Sequence, residues 1–390
     1  MDMADTLHHS NGTKREQQYR HTWADISLDA IRHNVRAFQS LLQDGCLLMA
    51  VVKADGYGHG SVQTASAALS AGAAYLAVAF ADEAFALRHA GITAPILILG
   101  YTAPEFAAET VDQGVAVTVF ERDTLQAVIE SAARFGKQAR VHLKIDTGMT
   151  RLGVRTAEEA LELARMAAAS PHVVLEGVFT HFADADRSGS GYTEQQFARF
   201  MQIVRLLEAN GISIPLKHCC NTAGTIHYPH MHLDMVRVGI GLYGLNPCED
   251  RSLQVLPLRK AMHLKSRIAA LKQIPAGQHV SYGCTYRAES ERLLAVLPIG
   301  YADGLPRALS NIGAVLINGR KAPIAGNVCM DQTMADVTGI PHIALGHEAI
   351  LLGDCESGNA ISADDIAALA STIGYEVLCG ISKRVPRFYG

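Results

Sequence analysis

No two of the eight cysteines are spaced as C-x2-C or C-x4-C, which leaves a zinc knuckle without a ligand pair. Their scatter fits thiols kept reduced in a cytoplasm. Basic residues are not in excess. With 34 lysines and arginines against 38 acidic residues, no field exists to gather nucleic-acid phosphates. The longest apolar stretches, 73–80 and 96–100, fall far short of the ~18 to 20 residues of a membrane span. Residues 1–21 lack the apolar segment of a secretory signal and predict a mobile tail. Charge is scarce too, at 18% against the ~25% of an average soluble domain, while 49% of the chain is hydrophobic. That balance excludes disorder along the whole length and supplies a large core.

From Leu47 the chain alternates short apolar, β-branched runs with helical patterns. Eight runs read as strands: 47–53, 74–79, 95–100, 115–119, 141–146, 175–181, 216–221 and 235–239. Helical periodicity fills 61–71, 82–90, 104–113, 122–135, 156–170 and 192–211, with 28–43 ahead of the first strand. Thr156 and Glu159 offer a capping box. Nearly continuous apolar strands are those covered on both faces, as in a parallel sheet wrapped by helices. Eight such units favour a (β/α)8 TIM barrel over 22–257, against an open doubly wound sheet. From 258 to 390 the texture is mostly β, with short strands, an Asn318-Gly319 turn and a single helix from Ala363 to Ile373.

Lys53 ends the first strand ahead of Ala-Asp-Gly-Tyr-Gly-His-Gly, at the C-terminal mouth where barrel sites lie. Desolvation there favours a neutral amine able to bind a carbonyl or pyridoxal phosphate; the alternative is a snorkelling lysine. Asn221, Thr222, Gly239 and Ile240 follow the seventh and eighth strands, where barrels frequently hold phosphate. Arg237 stands either against a pyridine nitrogen or in a structural ion pair. Lys144 and Asp146 alternate on the fifth strand and so share a face. His181 and His218 read as core histidines before catalysts. The trio His227, His230 and His232 lacks metal-ligand spacing and reads as a surface loop, and no metal is expected.

These residues sit within AVVKADGYGHG (50–60), KIDTGMTRLG (144–153), THFA (180–183), VRVGIGLYG (236–244), SYG (281–283), YADG (301–304), GNVCMDQ (326–332) and the terminal RVPRFYG. In that order they resemble the alanine racemases, fold-type III pyridoxal phosphate enzymes, from about Arg20 to Gly390. The resemblance implies an isomerase that interconverts L- and D-alanine, as in D-alanine biosynthesis. Lys53 would carry the cofactor and serve one face of the α-carbon, and Tyr282 of the other subunit of a homodimer the opposite face. Tyr57, Thr222, Gly239, Ile240 and Tyr389 would hold the phosphate, with Asn221 beside them. Arg237 would face the pyridine nitrogen, with His218 behind it. His181 would orient Tyr282, and Arg151 would contact the phenolic oxygen and substrate. Met330 would offer its backbone to the substrate carboxylate, and Tyr301 would guard access. Lys144 matches a lysine often carbamylated in the family.

Gly56, Thr150 and Thr222 stand where Ala, Gly and Ser are frequent in the family. Of these, Thr150 bears most on Arg151, because threonine restricts a backbone that glycine leaves free. Serine or broad-specificity racemases share the pattern. A fold-type III decarboxylase acting on a basic amino acid would carry glutamate in place of Arg237. A non-catalytic pyridoxal phosphate carrier would lack the residues after the barrel.

Overall fold

The computed structural model describes residues 19–187, 189, 191–248 and 256–390; most of the expected N-terminal tail lies outside them. The chain forms two compact units. One comprises Asp29–Arg259, and the other joins the described residues up to Leu28 with Lys260–Gly390.

In the first unit the expected strands become β2 (Leu47–Val51), β3 (Tyr75–Val78), β4 (Ile96–Ile98), β5 (Ala116–Val119), β6 (Ala139–Lys144), β7 (Val173–Phe179), β8 (Leu216–His218) and β9 (Met235–Val238). They pair in parallel, in sequence order from β2 to β8, with β9 on the far side of β2. Only the β8–β9 seam lacks a regular ladder. There Asp234 N donates to Lys217 O at 3.1 Å and Arg237 N to Cys220 O at 3.0 Å, so the barrel is nearly closed. β3, β4, β5 and β9 are buried along their whole length, which is why they are nearly continuous in apolar residues, with Arg237 on β9 the one buried charge among them. The helices fall where periodicity places them, and the Thr156–Glu159 capping box forms in both directions.

The second unit is mostly β. A seven-stranded sheet holds β1 (Thr22–Ile26), which lies antiparallel to Met262–Arg267 and parallel to Arg387–Tyr389. The barrel is expected from residue 22, and no strand is expected at 22–26; the hydrogen bonds of this strand place it in the second unit. Asn318 and Gly319 take φ of 48° and 72°, the left-handed pair a type I′ hairpin requires. The late helix is two, Ala363–Ala370 and Gly374–Cys379, because Ser371 adopts φ 56° and stops the first. Among the described residues no helix is long and apolar enough to cross a membrane.

Candidate active site

Lys53 opens a turn that runs the wrong way for L-residues. Ala54, Asp55, Gly56 and Tyr57 take φ of 53°, 53°, 61° and 51°. Left-handed backbone costs roughly 1–2 kcal/mol per non-glycine residue, so the surroundings must impose it. Glu83 does so from the first turn of the helix that follows β3. One carboxylate oxygen accepts from Ala54 N at 2.6 Å and the other from Ala79 N at 2.7 Å. The Asp55 carboxylate accepts from Ser61 N, closing the turn on the following helix. Gly56 suits its position, where φ is positive and a Cβ would crowd the Thr64 hydroxyl at 3.1 Å.

Across the barrel mouth the cations gather. Lys144 is buried and donates to Leu99 O at 3.2 Å, with its Nζ 5.3 Å from the Phe179 ring centroid. Burial first, then Arg151, Arg237 and Lys53, bring its pKa down to about 7; Asp146 opposes them. Asp146 spends one oxygen on Gly148 N and Thr150 N, so its chief structural work is to shape the loop before Arg151. In that loop Thr150 sits at φ 56°, the conformation a β-branched residue resists most.

Arg237 is 3% exposed, and burial lowers its pKa to about 10, which leaves it charged at neutral pH. Its guanidinium donates to Thr180 O at 2.8 Å, Cys219 O at 3.1 Å, His181 Nδ1 at 3.2 Å and His218 Nδ1 at 2.9 Å. Because arginine only donates, both histidines must accept at Nδ1 and carry their hydrogen on Nε2. His218 Nε2 meets His142 Nδ1 at 2.9 Å, and His142 Nε2 meets Glu176 at 3.0 Å. Every tautomer is thereby fixed in one direction: arginine to imidazole to imidazole to carboxylate. Burial and the neighbouring cations hold His181 and His218 well below the usual histidine pKa, so neither adds a charge. Burial raises the Glu176 carboxyl, but the hydrogen bonds from His142 and Tyr75 outweigh it and the net shift is downward.

The loops after β8 and β9 form a cradle. Asn221 caps the helix Thr222–His227 through Gly224 N at 2.8 Å, and Thr222 Oγ1 accepts from Gly239 N at 3.0 Å. A Cβ on Gly239 would stand 2.6 Å from the Tyr57 hydroxyl, so glycine here keeps that hydroxyl against the backbone. Ile240 is buried behind it.

Tyr282, Tyr301, Met330 and Tyr389 belong to the second unit. Tyr282 is 74% exposed on a turn in which Ser281, Gly283 and Cys284 all have positive φ. Asn327 fastens it: its amide donates to Tyr282 O at 2.7 Å, and its carbonyl accepts from Ser281 Oγ at 2.6 Å. The same stretch continues to Met330, whose carbonyl accepts from Ala302 N beside Tyr301. Tyr389 ends the strand next to β1.

The sequence reading missed His142 and Glu176. A signal for them existed in Gly177: a Cβ there would meet His142 Nδ1 at 2.4 Å, and an isolated strand glycine marks such close approach. The histidine trio is not wholly a surface loop, because His232 is fully buried with Nε2 2.9 Å from Thr225 O.

The family description "Alanine racemase, N-terminal domain" matches residues 26–247, and "Alanine racemase, C-terminal domain" matches 261–389. "Alanine racemase 2" of Oceanobacillus iheyensis is 50% identical over 371 residues, 95% of this chain and 94% of that protein. The alanine racemase structure from D-cycloserine-producing Streptomyces lavendulae has a TM-score of 0.91 at 39% identity, covering 96% of this chain and 98% of that one. The Clostridium difficile 630 alanine racemase in complex with cycloserine has a TM-score of 0.87 at 39% identity and covers 95% of each chain.

Proposed function

The chain belongs to the alanine racemase family, and from that premise we propose that it interconverts L- and D-alanine with pyridoxal phosphate carried on Lys53. The observation that carries the reading is the convergence of Lys53, Lys144, Arg151 and Arg237 on one barrel mouth with Asp146 as the opposing carboxylate. Such a mouth suits an anionic, phosphorylated ligand, and at Gly239 the Tyr57 and Thr222 hydroxyls stand together against the backbone, groups able to bind a phosphate. Pyridoxal phosphate, when bound, supplies a conjugated ring that delocalises the electron pair left on the α-carbon.

The residues divide the remaining work. Tyr57, Asn221, Thr222, Gly239 and Ile240 would hold the phosphate, and the family resemblance adds Tyr389. Arg151 would serve the phenolic oxygen and the substrate, the Met330 amide would bind the substrate carboxylate, and Tyr301 would guard access. Arg237 has only N–H groups to offer, so it would hold a pyridine nitrogen by a hydrogen bond and could not protonate it. On the α-carbon, Lys53 takes or returns the proton on one face and Tyr282 of the partner subunit on the other. Racemisation requires two such groups, which makes the homodimer the active species. His181 supports the tyrosine: with Nδ1 occupied by Arg237, its Nε2–H is the donor available to a phenolate oxygen.

Lys144 is proposed to react with carbon dioxide, its neutral amine forming the N–C bond and releasing one proton. The resulting carbamate would turn a crowded cation into an anion beside Arg151. Two measurements check this. The folded pKa lies near 7 and the ordinary value near 10.5, so between them the unfolded chain binds more protons and stability rises with pH. In CO2-free buffer Lys144→Met should flatten that rise, which has a limiting slope of about 1.4 kcal/mol per pH unit. In 13C-bicarbonate a carbamate carbon should appear in the unaltered protein and not in the variant; its absence would remove the modification from the scheme.

The whole reading is tested by supplying pyridoxal phosphate and measuring racemisation of L-alanine, L-serine and L-lysine. Alanine should be fastest. A holoenzyme dimer inert toward all three refutes the proposal, and faster turnover of serine or lysine refutes the substrate.

A further inference from the structure

Asp303 is a fully buried carboxylate to which the proposed chemistry gives no task. One oxygen accepts from Arg20 at 2.7 Å and from Arg384 Nε at 2.9 Å, and the other accepts from Gly300 N at 3.0 Å. The Nη2 of the same Arg384 guanidinium donates to Asp331 at 2.6 Å. Asp303 O in turn accepts from Ser382 N at 3.0 Å. Three segments distant in sequence therefore meet on one side chain.

The turn that Asp303 closes lies flat on the backbone carrying Met330. Tyr301 N donates to Cys329 O and Ala302 N to Met330 O, each at 3.0 Å. A Cβ on Gly300 would stand 2.2 Å from Cys329 O and 2.4 Å from Met330 O, so only glycine permits the approach. Gly304, at φ 103°, would meet Gly380 O at 2.3 Å in the same way. The Met330 carbonyl is thus occupied, while no acceptor among the described residues takes its amide N–H.

We infer that Arg384, anchored on Asp303 and reaching Asp331, is a positioning residue that fixes the Met330 amide and the Tyr301 turn for a substrate carboxylate. The inference rests on the reading of Met330 and Tyr301 given above. Its logic is geometric. The backbone bonds set the distance between the two loops, and the ion pairs on their outer side prevent one from rotating on the other. A planar guanidinium can hold two carboxylates at once, whereas an ammonium is a single point charge.

The test uses the full-chain holoenzyme, with propionate as a carboxylate probe that cannot react. Arg384→Met should raise KM for L-alanine and the inhibition constant of propionate together, by about tenfold, with kcat changed less than about twofold. Hydrogen exchange should quicken at amides 300–304 and 327–332 and stay unchanged in the strand Arg292–Leu297. Arg384→Lys should recover part of both effects, and Asp331→Asn should reproduce them in weaker form without touching the buried Asp303. If propionate competes with alanine in the unaltered enzyme and both constants stay put in Arg384→Met, the inference is overturned while the carboxylate reading survives. If propionate fails to compete in the unaltered enzyme, that reading falls first and takes the inference with it.

Discussion

Tyr282→Phe should slow removal of the α-proton from L-alanine by roughly 10²–10⁴, the usual contribution of a positioned general base, while exchange from D-alanine stays within a small factor of normal. The asymmetry follows from the division of faces: Lys53 remains intact in the variant and serves one enantiomer without help. The substitution also leaves the scaffold alone. Tyr282 is largely exposed on its own chain, and its turn is held through backbone atoms and Asn327, none of which involves the phenol oxygen. Incorporation of solvent deuterium into each enantiomer, followed before net racemisation, separates the two half-reactions. Equal losses for both would mean that the lysine and the tyrosine do not work on opposite faces. Mixing Tyr282→Phe with a Lys53→Ala chain supplies an independent check, because a shared site regains one complete pair per mixed dimer.

The parts of this site legible in the sequence are those whose position along a strand fixes where they point. Lys53 and Arg237 lie at or near the ends of barrel strands, so their place at the mouth follows once the barrel is counted. Lys144 follows from alternation along β6. Its neighbour on the same face, His142, was not legible as part of a relay, because its partner is chosen by the stagger between strands. The β6–β7 register slips between Val141 and His142, and that slip brings the ring to Gly177. The left-handed run at Ala54 and Asp55 was equally hidden, since alanine does not favour it and the cause is Glu83, 29 residues further on. The longest blind spots are the longest separations: β1 pairs with Met262–Arg267, and Arg20 reaches Asp303 across 283 positions. Local pattern carries no information about such pairs; only the assembled sheet does.

Arg237→Glu should do more than weaken racemisation and admit transamination by letting the pyridine nitrogen gain a proton. It should reverse the wiring behind the site. In the native relay a donor stands at one end and the Glu176 carboxylate at the other, so two neutral imidazoles suffice. With a carboxylate at each end, His218 must turn its hydrogen to Nδ1 while His142 keeps its own on Nε2. His218 Nε2 and His142 Nδ1 then face each other bare, unless the pair binds one extra proton. That proton is held in the folded state alone, so the variant should lose stability as pH rises through the pair's raised folded pKa, opposite in sign to the Lys144 effect. Removing the buried guanidinium also strands the Thr180 and Cys219 carbonyls, for a loss of about 1–3 kcal/mol each. Adding Glu176→Gln should recover part of it. The amide can donate to His142 Nε2, after which each histidine donates from Nδ1 and the chain runs backward without surplus charge. Thermal unfolding of the two single variants and the double one, from pH 6 to 9, measures the coupling, expected at about 0.5–3 kcal/mol in favour of the pair. Strict additivity, with the same pH dependence in single and double variants, would show that the tautomers of His142 and His218 are not set from the two ends.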